Sequence, residues 1–230
     1  YTSPVFRHLA PSVGSGGGEV YGNVGHAVLP ATMSPPHQRA EQRQRYKIVT
    51  VGDGCCGKTS LQVRYVYDDF SHQCVPTVFE AYPTEISIDG ETLELSLWDT
   101  SGQEEYDRLR PLSYRSTDVA IICFSVESHT SLLNVKKTWY PEVRYFCPNT
   151  PIVLVANKID LRHDRATLDA LEALNSRPIS SEDGAEMSRK IRAYAYCECS
   201  ALTRAGICDV FDTAARAAMQ ARNLLGCALL

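Results

Sequence analysis

The octapeptide Gly52-Asp53-Gly54-Cys55-Cys56-Gly57-Lys58-Thr59 constrains this chain more than any other feature. It fits G-x-x-x-x-G-K-[ST], and phosphate chemistry explains the spacing. Glycine lets the backbone approach a phosphate closely and take positive φ, so that successive N–H groups point at phosphate oxygens. Lys58 supplies a point charge for the β- and γ-phosphates, and the Thr59 hydroxyl can reach Mg²⁺. The apolar run 46–51 before the loop reads as a strand, and 58–67 after it as a helix whose positive end meets the same phosphates. A plain tight turn is the alternative, and it needs neither flank.

Beyond the loop, strands and helices alternate. Residues 85–88, the Asp89-Gly90 turn and 92–98 read as a hairpin with Leu93, Leu95 and Leu97 on one face. Runs 119–125 and 152–156 are unbroken apolar stretches, as in strands buried on both faces of a mainly parallel sheet. Residues 132–146, 182–191 and 209–224 carry helical periodicity, the last with the stripe Phe211, Ala214, Ala218 and Ala221. The expected fold class is α/β, an open doubly wound sheet that binds ligands at the carboxyl ends of its strands.

One such end is Asn157-Lys158-Ile159-Asp160, after the run 152–156. A carboxylate accepts two parallel N–H bonds, which matches the N1-H and 2-amino group of guanine and not adenine; Asp160 is the expected base selector. Cys199-Ser200-Ala201-Leu202 can present a backbone N–H to guanine O6, or be a strand-to-helix turn and nothing more. Asp99-Thr100-Ser101-Gly102-Gln103 follows the strand ending at Trp98. Its placement gives Asp99 a hold on Mg²⁺ through water, Gly102 an N–H for the γ-phosphate, and Gln103 the orientation of an attacking water.

Composition bounds the rest. A formal net charge of −4 argues against a nucleic-acid partner held by a basic surface. No apolar run reaches the roughly 18 residues that would span a bilayer. The nine cysteines are scattered without zinc-ligand spacing, so reduced thiols are expected. Residues 1–45 hold six glycines and five prolines without apolar periodicity, and are expected to be disordered. Pro35-Pro36 either meets a polyproline-binding partner or belongs to an unstructured leader.

Together these motifs resemble a Ras-superfamily small GTPase, specifically of the Rho/Rac subfamily, over about residues 46–222. Cys74-Val75-Pro76-Thr77-Val78-Phe79-Glu80 is similar to the Rho effector loop, switch I. The stretch from Trp98-Asp99-Thr100 to Leu112-Ser113-Tyr114 is similar to switch II, and Trp139-Tyr140-Pro141-Glu142-Val143 to a further Rho segment. Residues 164–177, with Leu168, Leu171 and Leu174, resemble the helix that Rho proteins insert. The resemblance implies a P-loop NTPase G domain, a mostly parallel six-stranded sheet with helices on both faces, over 46–222. A tail, 223–230, follows it.

It further implies GTP or GDP with Mg²⁺, bound by Gly52, Gly54, Cys55, Cys56, Gly57, Lys58, Thr59, Ser60, Phe70, Thr77, Asp99, Gly102, Asn157, Lys158, Asp160, Ser200, Ala201 and Leu202. Thr59, Thr77 and Asp99 would serve the metal, and Gln103, Lys58 and Gly102 catalysis. Phe70 would lie against the guanine ring; without the family context it reads as a core residue at a loop base. Trp98 sits where Rac-like members carry Trp, a position linked to exchange-factor choice, or is simply a hydrophobic strand end.

The implied activity is GTP hydrolysis by a monomeric switch signalling to the cytoskeleton or membrane traffic. Its expected partners are exchange factors, activating proteins, a dissociation inhibitor and effector kinases or scaffolds. No arginine finger is identifiable in the chain, so an activating protein would add roughly 10³–10⁵ in rate through one Arg. The last four residues, Cys227-Ala228-Leu229-Leu230, fit C-a-a-X and imply geranylgeranylation of Cys227, with localisation to cytosol and the cytoplasmic face of membranes. Any side chain at Gly54 is expected to crowd Gln103 and the incoming Arg.

Two departures, Cys74 and Ser101, and a pair of loop cysteines qualify these expectations. Cys74 replaces the usual Tyr, which predicts faster GDP release. Ser101 replaces the usual Ala, which predicts disturbed metal or water and weaker hydrolysis. Cys55 and Cys56 lie at a helix N-terminus, where they are redox-sensitive or passively packed. The runner-up reading is therefore a GTP-loaded, hydrolysis-poor effector-binding module with fast exchange. A third, another P-loop enzyme such as a kinase, conflicts with Asn157 and Asp160.

Overall fold

The strand before the phosphate loop is β1 (Arg45–Gly52), and it has neighbours on both sides. In the computed structural model, which describes residues 43–71 and 77–227, the sheet order is β2-β3-β1-β4-β5-β6. The expectations for the N-terminal arm, for Cys74 and for the Cys227 tail fall outside the described residues or side chains. The other strands are β2 (Phe79–Ile88), β3 (Glu91–Thr100), β4 (Val119–Ser125), β5 (Ile152–Asn157) and β6 (Ala195–Glu198). Only the β2–β3 pair is antiparallel. The chain leaves β1 for β3 on one side and β4 on the other, so strand order reverses at the end of β1, where a crevice opens.

The period-2 alternation of β1 explains both helical layers. Tyr46 and Ile48 join a core with Leu61 of α1 (Lys58–Tyr67) and Val210, Phe211 and Ala214 of α6 (Ile207–Cys227). Val49 and Val51 face the opposite core. It is closed by α2 (His129–Asn134), α3 (Tyr140–Phe146) and α5 (Ser181–Lys190). β4 and β5 are buried along their whole length. No described helix is long and apolar enough to cross a membrane.

Three elements differ from the sequence-based bounds. β2 begins at Phe79 rather than Glu85, because Pro83 needs no ladder donor on an edge strand. The helix over 132–146 starts at His129 and contains a π turn, Val135–Trp139. Pro141, in the first turn after it, cannot donate to the preceding turn and crowds its carbonyl, and the wider turn makes room. The inserted helix is α4 (Arg165–Glu172), shorter than 164–177; Asp164 caps it through Thr167 N–H, and Asn175 takes a left-handed φ of 50° beyond it. None of its residues is buried, so its leucines belong to neither core.

Candidate active site

The loops after β1, β3, β4, β5 and β6 open into one cleft of about 390 Å³. Its wall contains Gly54, Cys55, Gly57, Lys58, Thr59 and Ser60 of the phosphate loop, then Phe70, Thr77, Gly102 and Gln103. Asn157, Lys158, Asp160, Ala201 and Leu202 close the other end. The structure thus brings together most of the residues expected from sequence. Gly52, Cys56, Asp99 and Ser200 stand behind the wall and act on it from there. Sequence reasoning missed Ser71, Thr100, Glu127 and Leu161 as lining residues. Glu127 follows the carboxyl end of β4 and pairs with Lys158 at 2.6 Å; the strand-end rule alone could have found it.

At the phosphate end, α1 starts where Gly57 takes φ 95°, a left-handed conformation that favours glycine. The Lys58 ammonium, on a 6%-exposed residue, donates to the carbonyls of Gly52 and Asp53 at 2.8 Å each. Thr59 and Thr77 bring their hydroxyls within 2.8 Å of each other, and Thr59 also donates to the Asp99 carboxylate. Asp99 is fully buried. Burial pushes its carboxyl above the ordinary range, while the Thr59 bond and the nearby Lys58 charge pull it back. Gln62 Nε2 approaches the other carboxylate oxygen at 3.4 Å. Two hydroxyls and a buried carboxylate form a hard oxygen set that fits Mg²⁺.

The Gln103 turn lies against this end. A Cβ on Gly102 would come within 2.2 Å of the Gly52 carbonyl oxygen, so only glycine lets the two main chains meet. A Cβ on Gly54 would lie 3.8 Å from Gln103 Cγ, an ordinary contact. Toward Gln103, the crowding expected at Gly54 therefore does not begin with a methyl group. The Ser101 hydroxyl accepts the Gln103 N–H at 3.2 Å.

At the base end, Asn157 Nδ2 donates to the Cys56 carbonyl at 2.9 Å and ties this loop to the phosphate loop. Its Oδ1 accepts the Cys199 thiol at 3.0 Å, and Ser200 donates to the Asp160 carboxylate. Lys158 adopts a left-handed φ of 61° between them. Of the cysteines, Cys56 is buried, donates to the Cys123 carbonyl at 3.7 Å, and has its thiol pushed up by burial, which fits passive packing. Cys55 is disulfide-bonded, against the expectation of thiols throughout.

The Ras family model matches residues 47–220. Among curated relatives, the "Rho-related GTP-binding protein RhoB" of Homo sapiens, Mus musculus and Rattus norvegicus is in each case 54% identical over 178 residues, covering 77% of this chain and 91% of the relative. A phosphate cradle, a buried carboxylate behind two threonines and the Asn157/Asp160 base end occur here in one cleft, within the matched span. The chain accordingly belongs to the Ras family and is a Rho-type small GTPase, a guanine-nucleotide-binding switch that hydrolyses GTP.

Proposed function

We propose that this switch runs on the residues that meet in the cleft, with Asp160 selecting guanine and Lys58 receiving charge from the β- and γ-phosphates. The observation that carries the reading is the convergence of Thr59, Thr77 and Asp99 at the foot of a cleft whose far end holds Asp160. Thr59 and Thr77 would hold Mg²⁺, with Asp99 behind them. When bound, the ion neutralises charge on the β- and γ-phosphate oxygens. Gln103 orients the attacking water, and the Gly102 N–H faces the γ-phosphate. Phe70 and Leu202 flank the purine, and Ser200 holds the Asp160 carboxylate in place.

Loss of the γ-phosphate frees the Thr77 and Gly102 loops, so effectors distinguish the two states. Regulators of the Rho kind complete this reading: exchange factors, an activating protein that supplies one Arg, a dissociation inhibitor, and cycling between cytosol and membrane. The hydrolysis-poor alternative is not favoured by the Ras-family match and the similarity to Rho-related GTP-binding proteins.

The test is nucleotide selectivity and single-turnover hydrolysis by the full chain. GTP is expected to bind at least about 10³-fold more tightly than ATP, and Asp160→Asn to cost GTP roughly 10²-fold while leaving ATP unchanged. Gln103→Leu should slow hydrolysis by roughly 10–10²-fold with affinity intact. Equal binding of GTP and ATP refutes the assignment.

A further inference from the structure

The side chain of Asp53 does not line the cleft, although Gly54 and Cys55 after it do. Its two carboxylate oxygens are taken by Trp139 Nε1 at 2.6 Å and Asn134 Nδ2 at 2.8 Å. Both donors flank the π turn, one as the last residue of α2 and the other as the last residue of the turn. In a regular α-helix, residues five apart point about 140° away from each other. A turn with i→i+5 bonding brings such residues to one side, so the widened helix lets both donors reach one carboxylate.

The indole carries the contact onward. Trp139 is 3% exposed, and the Arg110 guanidinium sits 4.8 Å from its ring centroid. Arg110 is itself 4% exposed. Asp107 and Glu142 hold it at 2.6 and 2.8 Å, and Glu142 also accepts the Tyr114 hydroxyl. With its remaining donors Arg110 reaches the carbonyls of Ser101 at 3.0 Å and Gln103 at 3.4 Å. The Gln103 N–H is taken by Ser101 Oγ, so both main-chain groups of Gln103 are held. A continuous chain of contacts therefore runs from the phosphate loop, through the π turn, to the residue that faces the attacking water.

We propose that Trp139 and Arg110 are positioning residues for hydrolysis: the Asp53–Trp139–Arg110 relay sets the main chain of Gln103 relative to the phosphate loop. The relay rests on the reading of Gln103 as the water-orienting residue. Neither relay residue lines the cleft; the relay acts on rate through Gln103 and leaves the grip on nucleotide to Lys58, Thr59 and Asp160.

The experiment compares Trp139→Phe, Arg110→Lys and the double variant in the full chain with Mg²⁺. Trp139→Phe keeps an aromatic ring beside Arg110 and removes the N–H to Asp53 together with part of the buried indole's volume. Arg110→Lys keeps the charge and loses the planar fork. Each is expected to slow single-turnover GTP hydrolysis roughly tenfold or more, since small misplacements of a reacting group are costly in rate. Dissociation of GTP and GDP should stay within about twofold, as neither residue lines the cleft. The double variant should be close to the slower single variant, because both break one relay.

Multiplicative rates in the double variant, unchanged hydrolysis, or hydrolysis and nucleotide release worsening together would each overturn the proposal. If Trp139→Phe does not fold, Asn134→Ala, which removes the other half of the Asp53 clamp, is expected to slow hydrolysis in the same direction with affinity intact. Gln103→Leu is run in parallel: normal hydrolysis in that variant overturns the underlying site reading, whatever the relay variants do.

Discussion

Gln62 is a fully buried amide with a hydrogen bond at only one of its two polar atoms among the described residues. Its Nε2 approaches Asp99 at 3.4 Å, and its Oε1 has no partner among the described residues. Thr50, paired with Asp99 across the β1–β3 ladder, carries the other orphaned oxygen. A bond that long returns little, whereas a buried unsatisfied carbonyl costs about 1–3 kcal/mol. Gln62→Leu is therefore expected to raise Tm in calorimetry by about 2–4 °C. A fall in Tm would show that the amide supports Asp99 by more than its geometry suggests. Residue types whose chemistry demands a local spacing were legible in the sequence, as with Lys58 and Thr59 or Asn157 and Asp160. Bonds between distant segments were not: Asp53 meets Trp139 across 86 positions, and only the fold brings them together. Ser101 was visible as an unusual residue, but its bond to the Gln103 N–H was not, because only the folded turn brings the two together.

Helix α5 shows how far an element's ends can be read and what holds them. Ser180 and Asp183 form a reciprocal capping box, with Ser180 Oγ accepting Asp183 N–H at 3.2 Å and Asp183 accepting Ser180 N–H at 3.0 Å. The signature lies within four residues, so the expected start at 182 was off by one residue. Where ends depend on tertiary partners, as for edge strand β2 and the π turn before Pro141, periodicity alone failed. Ser180→Ala should cost about 1 kcal/mol in urea unfolding. Asp183 also adds acid sensitivity. The Arg177 hydrogen bond, then the Ser180 N–H, lower its carboxyl from 3.8 to about 2. A carboxyl lowered on folding stabilises fully above its unfolded value and loses that contribution as pH falls toward its folded value. The relevant window is thus about pH 4 down to 2. Asp183→Asn should flatten the fall of the urea midpoint across that window, and an unchanged slope would count against the Arg177 contact in solution.

The whole molecule divides between a buried sheet and a rim of loops joined mainly through the nucleotide cleft. β4 and β5 are buried from end to end, and two hydrophobic cores grip the sheet from opposite faces. The rim's loops are tied to one another by bonds such as Asn157 to the Cys56 carbonyl, Lys158 to Glu127, Ser200 to Asp160, and Thr59 to Thr77. Lys58 is nearly buried, and its only described hydrogen-bond acceptors are two main-chain carbonyls, a weak counterweight for a buried charge. Under the proposed reading, triphosphate oxygens would supply the missing compensation, so bound nucleotide should stabilise the rim far more than the sheet. At a hundredfold excess over Kd, a ligand that binds only the folded state adds about 2.7 kcal/mol. For a chain of this size that corresponds to about 5–10 °C in Tm. Stripping nucleotide with a chelator should lower Tm by that amount. Hydrogen exchange should then quicken over 52–60, 99–104 and 157–161, while the Asp89-Gly90 hairpin end and the β4 and β5 interiors keep their protection. Equal quickening in the sheet and the rim would mean that nucleotide holds the entire fold, and that the two hydrophobic cores do not make the sheet independent of its ligand.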